Sequence, residues 1–193
     1  MSGGGRAGAM AARLATQARA RGIDEAGAGH VARAFELAMS RRGLAEEDPG
    51  YLHPGRTALI LLEDAAVRDE TVLAAGTLVD AANPGLAVPT AEIEHDLGAA
   101  EAALVAAVPV PAAADALLEG LLVAEEAVRL LALADRLDLV RHLHLRPSAE
   151  WAETHALTRA AYLPVAERTC GLLARRLRWW CDRFAARYLA GRG

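Results

Sequence analysis

The sequence predicts an all-helical protein, and three observations carry that reading. Hydrophobic residues make up 53% of the 193 residues but are mostly Ala, Leu and Val, with aromatics at only 4%. They recur at helical spacing, and no stretch shows a strand's period of two at more than marginal strength. Gly and Pro fall at a few punctuation points where the chain must turn. At this length one domain is the default. Residues 1–22 are expected as a flexible N-terminal segment with a short helix, and residues 23–191 as the helical domain.

The opening Ser2 to Gly8 has the composition of a disordered leader, and a first amphipathic segment runs from about Met10 to Ala20 before Gly22. A clearer helix spans about Ala28 to Arg42, with Val31, Phe35 and Leu37/Ala38 on its apolar side. Gly43 to Gly50 reads as an acidic loop. Pro54 suits the first turn of the next helix, which carries Ala58, Leu59, Leu61 and Leu62 before Asp64. Asp69 caps a helix from Glu70 to about Ala82, stopped by Asn83-Pro84-Gly85. Thr90 is the N-cap expected for a helix over Ala91 to Val108, which ends at Pro109 and Pro111. A long helical pattern from Ala112 to Leu145 divides near Gly120. Ser148 and Glu150 suit the cap and first turn of a last region, in which Pro164 kinks or divides the chain before a final helix to about Leu189.

The chain contains no lysine, so all 21 basic residues are arginine, and Asn and Gln occur once each, at Asn83 and Gln17. Codon bias in a GC-rich genome accounts for this without appeal to function. A net charge of −4 argues against a nucleic-acid binder, despite the arginines crowding the C-terminal helix. Cys170 and Cys181, eleven residues apart on one expected helix, would sit roughly 16 Å apart and could not bridge. No apolar run has the length of a membrane span, and the start lacks the apolar core of a signal peptide. The expectation is a reduced, cytoplasmic protein.

Three polar residues stand out against this apolar background. His53 sits where a loop meets a proline at a helix start. Asp80 follows Val72, Leu73, Ala74, Ala75, Leu78 and Val79, and Asp135 lies among Leu130, Leu131, Leu133, Ala134 and Leu137. An acid buried in such company must be paired, hydrogen-bonded or metal-bound. Singly, His53 reads as an N-capping or surface residue and each acid as an arginine's partner.

Together, the frames around these residues resemble the HD-domain hydrolases of the RelA/SpoT type, including the small stand-alone alarmone hydrolases. Asp48-Pro-Gly-Tyr-Leu-His-Pro54, Thr71-Val-Leu-Ala-Ala-Gly-Thr-Leu-Val-Asp80 and Ala132-Leu-Ala-Asp-Arg-Leu137 follow the family's three elements in order. Glu153-Thr154 and Tyr162-Leu-Pro-Val-Ala166 echo a later one. The resemblance covers roughly residues 30 to 185 and implies a single HD-domain-like helical bundle. It also implies a site in which Mn²⁺, held by two histidines and two aspartates, helps water attack the 3′-pyrophosphate of guanosine tetra- or pentaphosphate. His53, Asp80 and Asp135 match three of the four ligands. Arg41, Arg42 and Arg136 are the basic residues nearest in sequence to such a site, so they are the candidates for contact with a guanine nucleotide.

The fourth ligand position is Val79, which has no lone pair to donate. Losing even an outer partner of a metal typically costs about 10 to 100-fold in affinity or activity. The acidic pair that follows the family's HD aspartate is here Asn83 and Pro84, the lysine before Leu-Ala-Asp is Ala132, and the asparagine after it is Leu139. The expectation is therefore a degenerate member, with metal binding weak or absent and hydrolysis lost or strongly reduced. The alternative is a non-catalytic nucleotide-binding or protein-interaction module. The literal His95-Asp96 dipeptide reads as an exposed helical pair, His30 and His155 as polar-face residues, and His142 and His144 as lying on different helix faces. Trp180, Phe184 and Tyr188, spaced by four, form a stripe expected to pack on the rest of the domain, and the arginines flanking it could instead meet an anionic ligand or partner.

Overall fold

The computed structural model describes residues 5–111 and 113–190, and among these no strand occurs. The leader Ser2 to Gly8 lies partly outside the described residues, and from Arg6 onward it is already helical. Helix α1 (Arg6–Ala20) buries Met10, Leu14 and Ala18 and ends where Gly22 adopts a φ of 87°, a left-handed conformation suited to glycine. Helix α2 (Glu25–Arg41) starts earlier than its apolar pattern suggests, because the Asp24 carboxylate accepts the Gly27 N–H at 2.8 Å.

The centre of the bundle is α3 (His53–Glu63), α4 (Glu70–Leu78) and α8 (Glu126–His142), which pack on one another with α2 against α4. Leu61, Leu73, Leu131, Leu133 and Leu137 are essentially inaccessible. Each such side chain contributes roughly 1.5–3 kcal/mol on removal from water. Two glycines permit the closest approaches: a Cβ at Gly76 would run into Leu61, and one at Gly55 into Met10.

Several helices differ from their sequence-based bounds, each for a local reason. α4 stops at Leu78, because Val79 is extended (φ −73°, ψ 127°), so Asp80 stands on the departing chain and not on a helix. The segment expected as one helix after Thr90 is two, α5 (Thr90–Asp96) and α6 (Ala99–Ala107), separated by Gly98 at φ 139°. Thr90 is the first helical residue and makes no side-chain cap. Gly120 lies inside α7 (Ala114–Val123), and the break before α8 falls at Ala124-Glu125.

Ser148–Glu150 forms a short 3₁₀ turn without a side-chain cap, ahead of α9 (Trp151–Leu157). A π-helical turn at Thr158–Tyr162 leads into α10 (Leu163–Thr169), where Pro164 occupies the first turn and so continues the chain without a break. The division before α11 (Gly171–Phe184) is instead at Cys170, which is extended and therefore off the helix that carries Cys181; both cysteines are free. The aromatic stripe splits. Phe184 and Tyr188 pack with Trp151, while Trp180 packs on the main core. Among the described residues no helix is long and apolar enough to cross a membrane.

Candidate functional site

The start of α3 places His53 at the base of the bundle. Its N–H bonds to the Gly50 carbonyl at 3.0 Å, and its own carbonyl accepts the Thr57 hydroxyl at 3.0 Å, so the backbone there is fixed on both sides. α8 crosses behind it and presents Asp135 and Asp138, three residues apart and hence on one face. Asp80 arrives on the chain leaving α4. One ligand atom from each of His53, Asp80 and Asp135 lies within 4.8 Å of the others, and all three residues are buried. This buried His/Asp/Asp group could bind a metal ion.

Each of the donors also has a protein partner. The His53 ring sits between two carboxylates, with Nδ1 2.8 Å from Asp138 and Nε2 3.0 Å from Asp135. Arg56 grips Asp138 with two N–H groups at 2.7 and 2.9 Å. Asp80 accepts the Arg42 Nη2–H at 2.8 Å on one oxygen and the Asn83 amide at 2.6 Å on the other. Arg146 donates in turn to the Asn83 carbonyl oxygen at 3.3 Å. Arg42, Arg56 and His53 thus stand against Asp80, Asp135 and Asp138.

Burial by itself would push the His53 imidazole towards its neutral form, but the hydrogen bonds and charges of Asp135 and Asp138 outweigh it and raise its pKa to about 10. Burial would likewise raise Asp138, yet His53 and Arg56 hold it well below the usual carboxylate range. Asp135 is different. Burial raises it, Asp80 adds to that, and His53 only partly opposes the shift. At neutral pH the cluster is therefore an imidazolium clasped by acids, with Asp138 the firmly ionised one.

Arg42 is 3% exposed and lines the cavity with His53, Asp80 and Asp135. Arg41, its neighbour in sequence, points to the surface and pairs with Glu92 at 2.7 Å, outside that cavity. Arg136 is buried and turned the other way, its guanidinium carbon 4.1 Å from the centre of the Tyr162 ring, into an adjoining cavity of about 240 Å³ shared with Arg146 and Glu153. Its Nη2 is the buried side-chain nitrogen that lacks a hydrogen-bond partner among the described residues. Val79 is 3% exposed, belongs to the main apolar cluster and does not line the cavity.

The sequence reading missed Asp138 and Arg56. The available signal was spacing: Asp138 follows Asp135 by three, and Arg56 follows His53 by three, so each shares a helical face with a residue already singled out. His142, which shares no helix face with His144, lines the same cavity, and burial holds its pKa below the ordinary value. The His95 and Asp96 side chains bond to each other on an exposed stretch of α5. His30, expected on a polar face, is half-hidden and meets the buried Glu101 at 2.7 Å, tying α2 to α6.

No protein-family model matches the sequence, and no curated protein matches it. Solved structures do match its fold. One is described as a metazoan ortholog of SpoT that hydrolyzes ppGpp and plays a role in starvation responses. It is 19% identical to this chain, with a TM-score of 0.67, over 83% of this chain and 96% of its own. The chain therefore has the same helical fold as that ppGpp hydrolase.

Proposed function

We propose that this chain is a degenerate HD-domain protein that binds a guanine nucleotide of the ppGpp class with hydrolysis lost or strongly reduced. The observation that carries the reading is the self-neutralised cluster: Arg42, Arg56 and His53 already face Asp80, Asp138 and Asp135, including the two carboxylates, Asp80 and Asp135, that a divalent ion would otherwise meet. Where the fold family would supply a second histidine ligand, Val79 packs into the apolar core.

His53, Asp80 and Asp135 would hold a cation if one bound, and Mn²⁺ suits this mixture of imidazole and carboxylate. Such an ion would polarise a phosphoryl oxygen and acidify a water. Binding it would place the ion beside the Arg42 guanidinium on Asp80 and would require His53 to give up a proton held between two acids, which weakens the site further. The cavity around the cluster is about 50 Å³, enough for a few waters or an ion, so a nucleotide must extend into its neighbours. One neighbour, about 280 Å³, lies beside Arg42, Asn83 and Arg146, and the other contains Arg136. In this reading Arg42 and Arg136 meet the phosphates, with Arg41 at the outer rim. The two free cysteines accord with a reducing, cytoplasmic setting.

The test is equilibrium binding of ppGpp with and without EDTA, run beside a pyrophosphate-release assay in Mn²⁺. Saturable binding that ignores the chelator, with release no faster than in Asp135→Ala, is expected. Mn²⁺-dependent release that disappears in Asp135→Ala would show a working three-ligand enzyme and overturn the proposal.

A further inference from the structure

Helix α11 turns Leu173, Ala174, Leu177, Cys181 and Phe184 inward, and its outer face carries a second, unrelated concentration of chemistry. Arg141, from the end of α8, comes alongside Arg175, Arg176, Trp179 and Trp180 to line a shallow cavity of about 490 Å³. Trp179 is 52% exposed, one of few large apolar side chains so open to water. Its ring is held in place: the Trp180 ring meets it edge-on at 4.9 Å and 89°, and the Arg183 guanidinium lies 5.3 Å from its centre.

The charge around this ring is not cancelled. Asp64 pairs with Arg176 at 3.0 Å and Arg141 at 3.7 Å, Asp138 and Glu63 also act on Arg141, and Arg175 makes no ion pair among the described residues. Nearby, Arg178 pairs with Glu167 and Arg159 with Asp182, whereas Arg183 and Arg187 lie against the Trp179 and Tyr188 rings and, like Arg175, make no ion pair among the described residues. The excess is concentrated beside the exposed indole. A planar apolar face next to guanidinium groups matches a ligand with a flat base at one end and phosphates at the other. A long polyanion fits less well, because the chain is net acidic and the surplus spans one cavity.

We infer that this cavity binds a nucleoside polyphosphate, the base stacked on Trp179 and the phosphates met by Arg141, Arg175 and Arg176. The site shares no residue with the His53 cluster and stands whether or not ppGpp binds there. Stacking of this kind tolerates any base, so adenine serves as well as guanine.

The experiment is calorimetric titration of the full chain with ATP in EDTA, with inorganic tripolyphosphate as the anion that lacks a base. ATP is expected to bind saturably, with Kd raised about tenfold or more both by Trp179→Ala and by Arg175→Ala, and tripolyphosphate to bind at least tenfold more weakly. Both substitutions are at exposed positions, and an unchanged thermal midpoint confirms the fold of each. ATP affinity indifferent to Trp179→Ala, or equal to that of tripolyphosphate, overturns the proposal. So does a concentration-dependent dimer that Trp179→Ala dissolves, since a second copy would then be what covers the indole.

Discussion

In the buried cluster Arg42 faces Asp80 and Arg56 faces Asp138, whereas beside α11 the guanidiniums of Arg141, from α8, and Arg176 share Asp64, and Arg175 makes no ion pair among the described residues. The difference follows from burial. A charge withdrawn from water without a partner is so unfavourable that buried acids must be paired with cations, protonated or metal-bound, while a surface arginine keeps its hydration without a partner. The cluster thus balances its charges internally, and the surface does not. Substitutions that remove one member of the buried set test that contrast most severely.

Asp138→Ala has the largest expected effect. It leaves the His53 imidazolium with Asp135 alone and takes the carboxylate from Arg56, and deletion of one partner from a buried pair typically costs about 3–5 kcal/mol. Urea denaturation should show the loss as a lowered midpoint with an unchanged slope. A change under about 1 kcal/mol, the scale of exposed pairs, would mean that water reaches the cluster and that the contrast with α11 is false.

Arg42→Met is expected to cost nearly as much and to uncover the metal question. It leaves Asp80 buried with only the Asn83 amide on it, so the carboxylate has charge to offer a cation. The thermal midpoint of the variant should rise more with added Mn²⁺ than that of the parent, because an ion that binds only the folded state stabilises it. Equal responses would show that Arg42 does not compete with the ion.

Acidity gives a finer probe. His53 has its folded pKa raised to about 10 from an ordinary value near 6.5, so the stability it contributes is complete below the ordinary value and is lost as pH rises through the folded one. The parent's advantage over His53→Gln should therefore shrink between about pH 6.5 and 10. With no lysine in the chain, few other groups titrate at the upper end, and those that do cancel in the difference. A constant advantage would mean that the ring is neutral in the folded protein.

How far the sequence revealed this arrangement varied with the kind of signal. Helical class followed from apolar spacing, and His53, Asp80 and Asp135 stood out because each is polar where burial was expected. Asp138 and Arg56 escaped because an acid or an arginine three residues from another polar group looks like ordinary helix surface until a second helix is known to cover it. Asp80 was placed on a helix because Val79, Asp80, Ala81 and Ala82 carry no breaker; the extended turn at Val79 comes from where the chain must go to reach Asn83, which is tertiary information. Gly120 misled in the opposite direction. Glycine weakens a helix interior by only about 1 kcal/mol, which the packing of Leu117 and Leu121 on either side exceeds.

The smallest expected effect isolates burial from residue type. Arg41 and Arg42 are adjacent arginines at the end of α2, each bonded to a carboxylate at under 3 Å. Arg41 reaches the half-buried Glu92 from the surface, where side-chain ordering and solvent screening offset much of the attraction. Arg42 meets Asp80 where neither is hydrated. Arg41→Ala should accordingly leave the urea midpoint within error and show a slight effect only at low salt, where screening is weak. If Arg41→Ala and Arg42→Ala were equally damaging, the hydrogen bond itself, and not the removal of water around it, would be what these pairs contribute, and the reading of the cluster as a set of charges forced to balance one another would fail with it.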